Sequence, residues 1–169
     1  MTELMAFTEP ELPATLMASL QGADPVPCVI VGAASRLALE SAMEARRLGL
    51  VEPLLVGPVA DIERLADEAG FNLSDFEMLD SAGDEASIAA TAAQAARHRN
   101  TGFVIKGSVH TDAYLRAFLS GRAGFRSERL ASHVFHMTAP GLRKPLLISD
   151  AAFNVAPTIE HRIAIAANA

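Results

Sequence analysis

An open α/β sheet, doubly wound and mostly parallel, is the architecture that this sequence predicts. Three observations predict it. Short apolar runs alternate with segments of helical period from residue 26 onward. Glycine follows three of those runs directly, as Gly32, Gly57 and Gly107. Half of the 169 residues are hydrophobic and 20% are charged, enough to bury a core and cover it with solvated charge.

Each element has a local reason. Residues 1–25 read as a leader helix and linker: Leu12, Leu16, Met17 and Leu20 keep helical spacing, and Gly22-Ala23-Asp24-Pro25 ends the segment. Val26–Val31 reads as a first strand, turned by Gly32. Ser35 is the candidate N-cap of a helix that runs through Leu48 and closes on Gly49. Pro53–Val56 reads as a second strand stopped by Gly57-Pro58, and a helix from Val59 to Ala69 ends at Gly70. Phe76–Leu79 is a short strand candidate. Asp84–His98 is Ala-rich and strongly helical. The strand Phe103–Lys106 breaks at Gly107, and a helix starting at Thr111 or Asp112 runs to Leu119, ending near Gly121. Arg122–Arg129 reads as a loop. Ser132–Met137 and Pro145–Ser149 read as two strands, and Pro140-Gly141 between them permits a hairpin. A last helix starts at Thr158 or Ile159 with no stop signal before Ala169, the pattern expected of a truncated chain. The expected organisation is 1–25 leader, 26–131 α/β domain, and 132–169 strands and helix entering a second domain.

Composition narrows the partners. Aromatic residues make up 5% of the chain and tryptophan is absent, which counts against a base-stacking platform for nucleic acid. The net charge of −6 is uneven: residues 1–96 hold 16 acidic and 4 basic side chains, whereas residues 97–169 hold 4 acidic and 10 basic. An anion is therefore expected in the second half, unless the asymmetry is only that of a mixed surface. The single cysteine, Cys28, excludes an internal disulfide and a cysteine-based zinc site, and its apolar neighbours make it a core thiol. No apolar run is long enough to span a bilayer, and no basic segment followed by an apolar core opens the chain. A cytoplasmic protein with no membrane and no nucleic-acid partner is expected.

The most informative stretch is Lys106 to Arg116. It lies at the carboxyl end of a strand, where open α/β sheets bind ligands, and just before a helix whose amides suit an anion. Gly107 lets the backbone approach a ligand closely. Ser108 and Thr111 offer hydroxyls, with Thr111 an alternative N-cap. Arg116 can grip phosphate or carboxylate with two N–H groups, or form an ordinary ion pair with Asp112 four residues earlier. Asp150 and Asn154 follow another strand and read either as cleft residues or as turn formers. The turn Gly32-Ala33-Ala34-Ser35 reads as a connector: it is no G-x-G-x-x-G, and no Walker motif occurs. His133 and His136, three apart on one strand, face opposite sides, and His98 and His161 read as surface residues. With no metal-ligand spacing in the chain, no bound metal is expected. There is no G-x-S-x-G elbow.

Four segments in register, Leu48–Pro58, Lys106-Gly107-Ser108-Val109-His110-Thr111-Asp112, Ser132–Met137 and Ser149–Pro157, resemble the phosphate acetyltransferase/phosphate butyryltransferase family, from about Val26 to Ala169. The likeness is to the short subgroup sometimes fused to an enoyl-CoA hydratase domain. The resemblance implies a fold similar to isocitrate and isopropylmalate dehydrogenases, with two α/β domains and a cleft between them. It implies reversible acyl transfer between coenzyme A and inorganic phosphate. Coenzyme A is then a substrate, no cofactor is permanently bound, and a homodimer is expected. It makes Arg116 a ligand of phosphate or acyl phosphate, sets Lys106, Gly107, Ser108, His110 and Thr111 in the adjoining turn, and carries Asp150 and Asn154 into the interdomain region. Family members continue further, and that part supplies much of the coenzyme A site and the catalytic base. A second family arginine has no clear counterpart here. The 169-residue piece is accordingly expected to be inactive, or nearly so, alone. Two other readings stand beside this one. One is a non-catalytic module that binds phosphate or coenzyme A. The other is a nicotinamide-dependent relative of the same fold class, against which the missing Gly-rich fingerprint counts.

Overall fold

A computed structural model describes residues 14–120, 125, 128–138, 144–150 and 153–169. They form two compact units: Ala23–Ser127, and the described residues of Met1–Gly22 with those of Glu128–Ala169.

The first unit is built on β1 (Val26–Val31), β2 (Val51–Gly57), β3 (Glu77–Asp80) and β4 (Phe103–Lys106), all parallel, in the order β3-β2-β1-β4. The connections contain α2 (Arg36–Arg47), α3 (Val59–Ala69) and α4 (Glu85–His98), and α5 (Thr111–Leu119) follows β4. Because β1 and β2 are central, their apolar runs are buried on both faces. Val29, Val31, Leu54 and Val56 pack with Ile88, Ala89, Ala92, Ala93 and Ala96 of α4 and Phe118 of α5. Cys28, Ile30 and Leu55 pack on the other face with Leu39 and Ala42 of α2 and Ile62 and Ala66 of α3. Two helices on each face make the sheet doubly wound, as predicted. The four buried alanines of α4 explain its low side-chain bulk: they let the helix lie close to β1.

The second strand is longer than the sequence suggests. Proline normally opens a strand, so Pro53 reads as a start, yet Val51 and Glu52 already pair with Val26 and Pro27. Pro53 is accommodated because the pairing of β2 with β3 starts only at Leu54. The third strand lies one residue later than Phe76–Leu79.

In the second unit, α1 (Ala14–Ser19) is a helix of 6 residues; the leader residue Leu12 lies outside the described residues. β5 (Val134–Met137) and β6 (Leu146–Ser149) pair antiparallel, the hairpin that the sequence permits, though Pro140-Gly141 lies outside the described residues. α6 (Ile159–Asn168) closes the chain, capped by the Thr158 hydroxyl, which accepts from the His161 N–H. No helix among the described residues is long and apolar enough to cross a membrane.

Candidate functional site

Strand order reverses direction at β1. The chain leaves β1 toward β2 and β3, then crosses back to place β4 on the far side of β1. A crevice outside the carboxyl ends of β1 and β4 is where such sheets take ligands. Two turns meet there, Gly32–Ser35 and Gly107–His110.

They are bonded tightly to one another. The Gly107 N–H donates to the Val31 carbonyl and the Ser108 N–H to the Gly32 carbonyl, each at 2.8 Å. The Ser108 hydroxyl donates to the same Gly32 oxygen at 2.9 Å. A side chain on Gly107 would meet that oxygen at 2.3 Å, so the close approach that glycine permits here is to β1. Gly32 has φ 72°, and a side chain there would strike Val109. The Gly32 and Ala33 N–H groups both donate to the Val56 carbonyl, and the Ser35 hydroxyl caps α2 by accepting from the Ala38 N–H. The turn after β1 therefore spends most of its amides on the protein itself, as a connector does.

The turn after β4 carries the charge. Lys106 folds its ammonium over its own turn, with Nζ donating to the Val109 carbonyl at 2.8 Å. His110, not Thr111, is the N-cap of α5, and its side chain makes no cap bond. Thr111 is the first helical residue. The cap comes instead from Glu85 at the start of α4, whose carboxylate accepts the His110 N–H at 2.7 Å and lies 2.6 Å from the ring Nδ1. The His110 N–H first, and the ring second, hold the Glu85 carboxyl below its ordinary pKa. Glu85 gave no sequence signal, because its partner is 25 residues away. Arg116 lies 3.6 Å from Asp112, and both side chains are more than 70% exposed. At that exposure the pair contributes little to stability and leaves the guanidinium able to reach a ligand.

Asp150 and Asn154 belong to the second unit and are bonded to each other there. Asp150 has φ 57°; its carboxylate accepts from the His133 N–H at 3.1 Å and from the Asn154 N–H at 3.0 Å. The Asn154 amide also donates to the Asp150 carboxylate and to the Ala131 carbonyl. Burial opposes the charge on Asp150, but these donors outweigh it and lower its pKa. The geometry is that of turn formers tying the end of β6 to the start of β5.

A groove of about 790 Å³ opens in the first unit at the amino ends of β1 and β2, lined by Pro25, Met43, Arg46, Val51, Phe71 and Phe76. Arg46 stacks over Phe76 at 5.0 Å and reaches Asp75 at 3.7 Å. It lies at the other end of the strands from the switch point, and both arginines that line it are engaged, Arg46 with Asp75 and Arg47 with Glu44.

No family model matches the chain. Among curated proteins, a phosphate acetyltransferase from Rickettsia felis is 32% identical over 154 residues, covering 91% of this chain and 44% of that protein. A phosphate butyryltransferase from Clostridium acetobutylicum is 30% identical over 133 residues, covering 77% of this chain and 43% of that protein. Among solved structures, a phosphotransacetylase from Staphylococcus aureus superposes with a TM-score of 0.74 at 14% identity, over 90% of this chain and 55% of that one. At that identity the structural match speaks for the fold. The chain thus spans less than half the length of the curated relatives it matches. Sequence identity that extends over most of the chain, together with a shared fold, assigns it to the phosphate acetyltransferase/phosphate butyryltransferase family.

Proposed function

We propose that the protein carrying this chain is a phosphate acyltransferase, moving an acyl group between coenzyme A and inorganic phosphate, and that this chain supplies its phosphate grip. The observation that supports the reading is the β4–α5 turn, which carries Lys106 and His110 at the carboxyl end of the sheet where strand order reverses, with Arg116 exposed farther along α5, in a chain whose relatives bear those names.

The chemistry asks for such a site. When the coenzyme A thiolate attacks an acyl phosphate, a C–S bond forms and the C–O bond to phosphate breaks. Negative charge grows on the carbonyl oxygen and on the departing phosphate. A guanidinium, an ammonium and oriented N–H donors stabilise that charge. In this reading Arg116 grips the phosphate, and Lys106, His110 and Thr111 complete its charge and hydrogen-bond field. Ser108 and Gly107 form the rigid frame, since the Ser108 hydroxyl already donates to Gly32. Asp150 and Asn154 hold the β5–β6 end of the second unit in shape through their bonds to each other and to His133 and Ala131. The thiol's proton goes to a base.

Coenzyme A serves as a substrate with no cofactor held between turnovers. The buried lone cysteine suits a cytoplasmic setting, and a homodimer is the expected assembly, checked by light scattering.

The test is phosphate-dependent release of free coenzyme A from acetyl- through butyryl-coenzyme A by the product of the full reading frame. Arg116→Ala should raise the KM for phosphate about tenfold or more, the worth of one charge-assisted contact. Phosphate binding without any release would replace this reading with a binding module.

A further inference from the structure

Glu85 sits on the crossover from β3 to β4 and His110 in the turn after β4, yet one carboxylate serves both the main chain and the ring of the histidine. A carboxylate can only accept, so its bond to the imidazole requires the proton to be on Nδ1. In the neutral ring this leaves the lone pair on Nε2 and fixes the tautomer, which a histidine without such a partner is free to exchange. The same contact pins the ring's orientation, although the side chain is 81% exposed and nothing else need hold it. Lys106 and the Ser108–Gly32 bonds fix the turn that carries His110.

We propose that Glu85 is a positioning residue of the anion site, fixing the imidazole of His110 so that Nε2 is the atom a bound phosphate meets. When the ring is neutral, Nε2 accepts from the hydroxyl of hydrogen phosphate. Glu85 itself stays outside the ligand's contacts: its two oxygens are occupied by His110. The identity of the ligand rests on the acyltransferase reading. The mechanical claim, that Glu85 sets the tautomer, does not.

Long-range proton–nitrogen spectra of the labelled chain, recorded well above the ordinary histidine range, test both. The wild-type ring of His110 should show the Nδ1–H pattern. Glu85→Ala should lose it, and Glu85→Gln should keep it, because the amide oxygen accepts in the same place. Titration with inorganic phosphate should shift the His110 ring signals in the wild type and in Glu85→Gln, with affinity about tenfold weaker in Glu85→Ala. An Nε2–H pattern in the wild type overturns the proposal. So does equal phosphate affinity in wild type and Glu85→Ala, or a ring that phosphate never moves. The coenzyme A release assay separates the two layers. Phosphate that moves His110 without any release sinks the acyltransferase reading alone. Release by a protein whose His110 is untouched by phosphate sinks the positioning role alone.

Discussion

Gly107 shows how a residue can be legible while its partner is not. A glycine between an apolar strand and a polar helix start announces a close approach. The approaching group is the Gly32 carbonyl, 75 positions away in the chain, and no local pattern reports that distance. Gly107→Ala should therefore cost about 2–3 kcal/mol in urea unfolding, because backbone atoms rather than a pliable side chain stand in the way. The ion pair of Arg116 with Asp112 was readable from the spacing of the two residues. Since the pair is exposed, Arg116→Ala should change stability by less than about 0.5 kcal/mol, so any loss of phosphate binding reports on the site itself. Cys28 is the clearest single-residue match. Burial pushes its thiol up to about 11, against a smaller opposing contribution from the Ile105 main chain. Its reaction with a thiol reagent near neutral pH should be as slow as unfolding. A thiol whose pKa rises on folding adds stability below its unfolded pKa of 9.0 and loses that contribution as pH climbs through about 11.

At the scale of elements, boundaries were legible where the cap is local. Ser35 caps α2 and Asp84 caps α4, each from within its own turn, and Gly70 closes α3 in the left-handed conformation. Asp84→Ala removes the oxygen that accepts from both the Ser87 N–H and hydroxyl, and should lower the urea midpoint with the slope unchanged. Caps supplied from elsewhere were not legible. α3 begins at a proline with no side-chain cap, and Asp80 at the end of β3 accepts the Val59 N–H in its place. Glu85 does the same for α5. Both are acidic groups near the carboxyl ends of the sheet, so a ligand anion approaching α5 shares that end with carboxylates already seated there.

Across the whole molecule, the alternation of strands and helices was enough to read the doubly wound sheet, and four short motifs in register were enough to read the family. The order β3-β2-β1-β4 was not, since apolar runs carry no label of their neighbours. Several carboxylates share one trend. Glu44, held by Arg47, Asp84, held by Ser87, and Glu85, held by His110, are all lowered in the folded chain. A depressed carboxyl contributes stability above its unfolded pKa and loses it as pH falls through the folded value. Urea midpoints should therefore decline as pH drops below about 4, the ordinary carboxylate range, and high salt should blunt the part due to exposed ion pairs.

The Gly107 and Ser108 amides donate to the Val31 and Gly32 carbonyls, at the end of β1 and in the turn after it, across most of the domain's sequence length. Their hydrogens exchange with deuterium when the edge strand β4 parts from β1. These two amides should be among the slowest to exchange in the chain, and their rate should follow global unfolding as denaturant is added. The turn after β4 would then be timed by the opening of the whole sheet, and a ligand that slows exchange at these two positions would report stabilisation of the entire domain.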